Sequence, residues 1–585
     1  MPQSSIGRIV RTAAVSLLLG IVAVPLAWKL WAADPPPVSG EPNVGGLPLF
    51  THWPQNHKPE AVLVLTNQTF GYLSPCGCSR PQKGGLERRY NFMQSLRAKG
   101  WPVIGLDGGD VSPPKKIAVQ DLLKYETAMK SLQAMGTVAV GLGDYDFDQR
   151  LDELLAKYAL QNPNQPPVIL AANLVGKVNA GILPRAQRFP GAGKRAMVED
   201  IEIVTKDPIS GTPMLPVGVT AVIGRNVFEN KIAKIDPNFD AEDNGKVLKA
   251  SLAAMDADAA KPAVKALLYT GSLEDAKKVA EAFPEFNVIL CQIEESEPPQ
   301  FPTVVNNGKT FIIQVGHKGQ NVGVVGVFRE NNELKLYYQL VPLGEDYLTK
   351  KGQVTTHPII NLMEKYTETV ATQDLLAKYV EKPVQHPAMI QNPAAKLVFT
   401  GSEKCKTCHP QEFAVWDKTP HGHAMEALEK VAVQPKNRQF DGDCVVCHTV
   451  GFGMVSGYTN EKDTKHLRHV GCETCHGPGS GHNADPKNKE LLKLLSPWKS
   501  EDGDRLPEKA VLEAMAKLKP GEPNPAVIPA NKQRVMAVVG TMCLRCHDGE
   551  NDPKFDLNVY MPKIWHSGLK AGGGLPGNGL PGNAK

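Results

Sequence analysis

From Ala61 to about Val341, short apolar runs alternate with stretches of helical period. AVLVLT (61–66), PVIGL (102–106), TVAVGL (137–142) and PVILAA (167–172) have the length and β-branched content of buried strands, and ALLYT (266–270) and NVILC (287–291) continue the series. Between the last two, Ser272-Leu-Glu-Asp275 predicts a capped helix start leading into AKKVAEAF. Strands alternating with helices predict a layered α/β domain over residues 61–345. The stretch 302–341 adds further strands and turns, and 346–398 reads as a helical connector ending at Pro383, Pro387 and Pro393.

The two ends of the chain break this pattern. Arg8 and Arg11 precede an apolar run that ends near Lys29, so residues 1–33 read as an export segment. The run is short for a membrane span and the Ala32-Ala33 pair is an indifferent cleavage site. Both a cleaved signal and an anchor in the cytoplasmic membrane, formed by residues 9–32, stay open. Either one predicts a periplasmic or extracytoplasmic protein. Residues 34–60 are Pro- and Gly-rich and predict a linker, and 571–585 predict a disordered tail.

Composition changes the picture in one respect. The chain has 585 residues, of which 42% are hydrophobic and 22% charged, which suits roughly two to four domains. A net charge of +4 over that length implies no nucleic-acid partner. Cysteine and histidine are the exception: eight of 11 Cys and ten of 15 His lie beyond residue 404. Structural disulfides would not gather histidine with them, whereas metal or haem ligation would.

The clustered residues form Cys-x-x-Cys-His four times: Cys405/Cys408/His409, Cys444/Cys447/His448, Cys472/Cys475/His476 and Cys543/Cys546/His547. Two thiols three residues apart share one side of a helical turn and can form thioethers with the two vinyl groups of a haem. The next His then lies under the iron as its proximal ligand. Zinc ribbons also use Cys-x-x-Cys pairs but do not require His after every second Cys. The cofactors implied are four covalent c-type haems in a mostly α-helical, haem-packed cytochrome c domain over residues 399–570. Its partners would be redox proteins that donate and accept electrons. Second axial ligands would come from His421, His423, His466, His469, His482 and His566. Iron held by two imidazoles favours electron transfer, and an open position favours ligand chemistry. Residues 484–540 hold no Cys or His and read as an inserted helical excursion.

The stretch Cys405–His566 resembles the tetrahaem cytochrome c family of nitrifying bacteria, which accepts electrons from hydroxylamine oxidoreductase. The resemblance rests on Trp416-x-x-Thr419-x-His421-x-x-Ala424 after the first motif and on Gly457-Tyr458 after the second. The run Val470 to His482, and Pro553-x-Phe555 with Trp565-His566 after the fourth motif, complete it. Carried over by position, it implies the axial pairs His409–His566, His476–His421 and His547–His482, with His448 facing an open position. His469, His423 and His466 depart from the family, and any of them would suffice to close that fourth site.

Residues 61–341 resemble the calcineurin-like metallophosphoesterases of the periplasmic 5′-nucleotidase branch. The family's Thr-Asn-Asp-x-His-Gly reads Thr66-Asn67-Gln68-Thr69-Phe70-Gly71, and its Gly-Asp survives at Asp107-Gly-Gly-Asp110. Its Gly-Asn-His-Glu becomes Gly143-Asp144-Tyr145-Asp146, Ala172-Asn173 is kept, and the later His positions read Tyr269-Thr270 and Cys291-Gln292. A two-metal hydrolase needs a bridging carboxylate and several strong ligands. Only Asp110 keeps its identity, so the resemblance implies a retained scaffold that docks a partner or binds a ligand without hydrolysis. Cys76-Gly-Cys78, with Arg80, Arg88 and Arg89 nearby, resembles a Cys-bearing subgroup associated with multihaem cytochromes. Those thiols suit a metal-binding or reactive pair or a structural one, the latter including a bridge to Cys291. The leading function is electron transfer; the alternative is a redox enzyme acting on a small nitrogen or sulfur species at His448, and the third reading is a metal-dependent phosphoesterase.

Overall fold

The structure, a computed structural model, describes residues 49–566 apart from 76–81, 115–117, 179–180, 184–189, 192–194, 296, 379–382, 432–434, 500–508, 518–528, 550 and 553. The export segment 1–33, Cys76 and Cys78, and the tail 571–585 therefore lie outside the described residues. Residues up to Gln55 form a unit of their own, and Asn56 onward forms the body considered below. Among the described residues no helix is long and apolar enough to cross a membrane.

Two six-stranded sheets make the frame of the first half. The first holds β1 (Ala61–Thr66), β2 (Val103–Asp107), β3 (Thr137–Val140) and β4 (Val168–Ile169) in parallel. A three-stranded sheet follows, of β5 (Leu174–Val178), β6 (Gly181–Leu183) and later β9 (Phe239–Ala241). The second large sheet runs β8 (Pro213–Ile223), β10 (Val264–Thr270), β11 (Val288–Cys291) and β13 (Thr310–Ile313) in parallel, with β7 (Ile201–Lys206) and β12 (Thr303–Val305) antiparallel at its edges. The hairpin of β14 (Asn321–Glu330) and β15 (Glu333–Pro342) returns to the first sheet, β14 lying antiparallel to β1. Its two-residue turn is Asn331-Asn332, both at positive φ (50° and 66°), the conformation a right-twisted hairpin requires.

Strand alternation explains the layering. Leu63, Leu65, Ile104 and Leu106 of the first sheet meet Val217, Val219, Ala266 and Leu268 of the second in one buried core. The opposite face of the second sheet, with Leu267, Tyr269 and Ile289, packs under the helices Asn244–Ala257 and Leu273–Ala282. The latter begins at Ser272, whose hydroxyl accepts from the Asp275 amide, as the sequence predicts. The helices Leu86–Ala98 and Ala118–Met135 cover the first sheet through β2 and β3.

From Pro358 the chain is helical. Helix Pro358–Thr372 packs against the 118–135 helix and reaches the turn Arg438–Phe440, so it joins both halves. Beyond it come short helices around a small apolar cluster that includes Phe399, Met425, Val445, Val450 and Tyr458. Val446 and Leu544, inside the Cys-x-x-Cys spacings, remain exposed.

Candidate functional site

All four Cys-x-x-Cys-His segments fold as single helical turns. In the first, the amides of Cys408 and His409 donate to the Cys405 carbonyl (3.2 and 2.9 Å); in the fourth, Cys546 and His547 do the same to Cys543 (3.1 and 2.9 Å). The second and third lie in the helices Gly442–His448 and Cys472–His476. This turn puts both thiols and the imidazole on one side, as the spacing predicts.

Imidazoles far apart in sequence come together in pairs. His409 faces His482 with ring centres 6.1 Å apart, His476 faces His566 at 6.1 Å, and His547 faces His421 at 6.0 Å. Two imidazoles sharing one metal through bonds of about 2.0–2.1 Å stand with ring centres about 6 Å apart. The residues therefore fit a metal held between each pair. The pairing differs from the one implied by position in the family resemblance. His482 sits six residues past His476, yet the link 477–479 and the helix Ser480–Ala484 carry it across to His409. The last helix, Leu557–Ile564, brings His566 to His476 instead.

The other ring nitrogen is anchored in three of the six paired histidines and in His448, whereas the buried Nδ1 of His482 has no hydrogen-bond partner among the described residues. Nδ1 of His448 bonds to the Ala424 carbonyl (2.5 Å), that of His476 to the Leu495 carbonyl (2.8 Å) and that of His566 to the Ile564 carbonyl (2.8 Å). Nδ1 of His547 bonds to a carboxylate, Asp552 Oδ2, at 2.8 Å. An Nδ1 that donates fixes the tautomer in which Nε2 carries the lone pair for a metal. Burial holds the pKa of His448 and His476 below the usual imidazole value, and pushes that of His421 down to about 4 with help from neighbouring His547. These rings stay neutral and able to ligate.

The three extra histidines behave differently. His423 is exposed, with Nε2 on the Asp417 carbonyl (2.7 Å) and Nδ1 on Glu426 (3.3 Å). Nδ1 of His469 accepts from the Met425 amide (3.2 Å), which leaves the proton of a neutral ring on Nε2. His466 lies against Gly401. Among the described residues no imidazole faces His448 at the spacing of the other pairs.

The thiols also meet across motifs. Cys405 and Cys472, Cys447 and Cys546, and Cys475 and Cys543 are each close enough for their side chains to interact. One carboxylate in this region escaped the sequence reading. Glu473, buried between Cys472 and Cys475, accepts from the amides of Thr400 (2.9 Å), Gly401 (2.7 Å) and Gly479 (2.7 Å). An acid between the two cysteines of a Cys-x-x-Cys-His motif was the only signal for it.

Residues 404–477 match the family of cytochrome c554 and c-prime. Over 105 residues, 16% of this chain and 45% of the relative, it is 41% identical to cytochrome c-554 of Nitrosomonas europaea. This stretch of the chain is thus similar to cytochrome c554. Another 332 residues, 51% of this chain and 54% of the relative, are 26% identical to a 5′-nucleotidase of Vibrio vulnificus. Among solved structures, a 5′-nucleotidase precursor from Thermus thermophilus matches with 17% identity and a TM-score of 0.41, over 53% of this chain and 59% of that one. The chain spans about half the length of the curated relatives it matches.

The phosphoesterase-like region gathers its motif residues at the carboxyl ends of β1, β2, β3, β10 and β11, where open α/β sheets bind ligands. Asp110 and Asp144 are both bridged by the Gln292 side-chain amide (2.8 and 3.1 Å), and Asp144 is paired with Lys231 (2.7 Å). Asp146 accepts from the amides of Asp110, Ser112 and Gly143, and Gln68 Oε1 accepts from the Ile293 amide. Phe70 packs edge-on to Tyr145 (5.0 Å). Burial, with Asp144 and Asp146 alongside, raises the Asp110 pKa well above the carboxylate range, and burial raises Asp146 to about 6. Gln68, Phe70 and Asp110 keep positive φ (50°, 51° and 53°), backbone strain of the kind stored at ligand sites. Asn173 is spent on Ile223 and Asn244. Among the described residues no three His, Cys, Asp or Glu are grouped to hold a metal ion. Cys291 is a free, fully buried thiol whose pKa burial pushes up to about 12.

Proposed function

We propose that the protein is an extracytoplasmic electron carrier whose four haems are bound at Cys405/Cys408, Cys444/Cys447, Cys472/Cys475 and Cys543/Cys546. The observation that carries this reading is the set of three imidazole pairs at 6.0–6.1 Å, each containing the His of one motif. Bound haem would supply a one-electron couple at each iron. The chain's part is to hold His409 and His482, His476 and His566, and His547 and His421 opposite one another, so that little rearranges when charge moves. Thiol proximity supports the relay order His409, His476, His547, His448.

The His448 position favours a second reading beside the first. Both nitrogens of His423 are bonded elsewhere, and His469 presents a protonated Nε2, so an open coordination position suits this haem. A small nitrogen or sulfur species could then react there. The phosphoesterase-like region is read as non-hydrolytic: Lys231 and Gln292 engage the carboxylates that metal ions would need. Its role is to carry and orient the cytochrome region toward redox partner proteins, and residues 1–33 direct export, by signal or anchor.

The test is a haem count with a spectroscopic redox titration of the holoprotein, followed by carbon monoxide addition to the reduced form. Four haems with one binding carbon monoxide is the expected result. Fewer than four haems overturns the carrier as proposed, and no carbon monoxide binding removes the second reading.

A further inference from the structure

The haem ligands differ in what anchors their outer nitrogen. His448, His476 and His566 donate Nδ1–H to backbone carbonyls, which are neutral acceptors. Nδ1 of His409 lies 4.0 Å from the Glu412 carboxylate, beyond hydrogen-bond reach and with both side chains substantially exposed. His547 alone among the four motif histidines has a carboxylate in hydrogen-bond contact: Asp552 Oδ2 at 2.8 Å, on a side chain only 9% exposed. The contact is built. Phe555 stacks on the His547 ring at 4.9 Å and 18°, Tyr560 meets its edge at 5.6 Å, and the Tyr560 hydroxyl donates to Asp552. The Asp552 amide donates to the Asp548 carbonyl (2.8 Å) and the Phe555 amide to the Asp552 carbonyl (2.9 Å), which fixes the loop carrying the carboxylate.

A charged acceptor on Nδ1–H draws the proton away from the ring and makes Nε2 a stronger donor to a metal. Stronger donation stabilises the oxidised iron relative to the reduced one, so the potential falls. We propose that Asp552 is a positioning residue that lowers the reduction potential of the haem attached at Cys543 and Cys546 relative to what a backbone acceptor would give. The proposal rests on the haem assignment above and goes beyond it by assigning one potential to one carboxylate. By the cysteine contacts, this haem neighbours the one at His448. A lowered potential there favours electron passage from this haem to its neighbour at His448.

Two variants of the holoprotein test it by spectroelectrochemical titration, with the haem count taken on each. In Asp552→Asn the midpoint of one haem should rise while the other three stay within fitting error. In Tyr560→Phe the carboxylate loses its second donor, the Asp552–His547 bond strengthens, and the same midpoint should fall. Opposite shifts confined to one haem are the signature that a merely structural role would not produce. If Asp552→Asn fails to incorporate haem, the sign of the Tyr560→Phe shift decides alone. Unchanged midpoints, or all four moving together, overturn the proposal. A wild-type haem count below four would instead count against the carrier reading, and the Asp552 effect would still be read on the haem at Cys543 and Cys546.

Discussion

The ammonium of Lys124, on a helix of the phosphoesterase-like region, is paired with Asp443, the residue immediately before the cysteine that opens the second haem motif. It also lies 3.6 Å from Asp441, whose carboxylate accepts from Gln120 (3.0 Å) and from the Tyr366 hydroxyl (3.1 Å). Burial opposes the charge on Lys124, but Asp441 and Asp443 outweigh it and hold its pKa well above the ordinary lysine range. The two halves of the chain are thus joined by an ionic cluster in which Lys124 is buried and Asp443 reaches solvent.

Removing that cation leaves two carboxylates facing a buried gap. Lys124→Met should cost about 2–3 kcal/mol, below the value for a fully buried pair because Asp443 is partly solvated. Denaturant unfolding followed by tryptophan fluorescence measures it, and Lys124→Met with Asp443→Asn should recover part of the loss. A single variant as stable as wild type would mean the cluster does not hold the halves together.

Glu473 satisfies three buried amides at once. In Glu473→Gln one acceptor becomes a donor pointed at those N–H groups, so a loss of about 2–3 kcal/mol is expected. Thermal melting read at the haem absorbance should fall before the far-ultraviolet signal of the sheets does. Coincident and unshifted transitions would contradict this.

His357 caps the helix Pro358–Thr372, accepting from the Ile360 amide through Nδ1 (3.3 Å), with Nε2 on Asn91 (3.0 Å). Burial lowers its pKa from the usual imidazole value. The folded state therefore binds fewer protons than the unfolded one between the lowered pKa and about 6.5. Stability from this group is full above about 6.5 and is lost as pH falls through the folded value. His357→Asn keeps a capping oxygen without a titrating ring, so its stability should fall less than that of wild type between pH 7 and 5. Parallel pH profiles would exclude His357 as a source of the dependence.

Manganese should find no site in the acidic cleft, where Lys231 and Gln292 engage Asp110 and Asp144. Added manganese is expected to leave the melting temperature within about 1 °C and to give no hydrolysis of a phosphodiester. Metal-dependent stabilisation, abolished by Asp110→Ala together with the hydrolysis, would restore the hydrolase reading.

Much of this architecture was legible along the chain. Runs such as AVLVLT and NVILC are apolar on both faces because their strands lie between a second sheet and a helical layer, so short apolar blocks suffice to locate them. The four haem motifs are equally local, because a helical turn fixes the geometry of residues three and four apart. Partner choice was not. The resemblance implied His409 with His566, whereas the fold sets His409 against His482 and sends His566 to His476. No spacing rule encodes that exchange, since it depends on where the 480–484 and 557–564 helices dock.

What is written locally is four Cys-x-x-Cys pairs, the histidine that follows each, and the strands of an α/β frame. Which imidazole stands opposite which, how Lys124 joins the α/β frame to the second motif, and why His547 alone of the motif histidines bonds a carboxylate emerge only once the chain has folded. The reason is range. Helical and strand geometry act over a few residues and can be read from spacing, whereas axial pairing and charge placement link residues tens to hundreds of positions apart, fixed only when the helices pack.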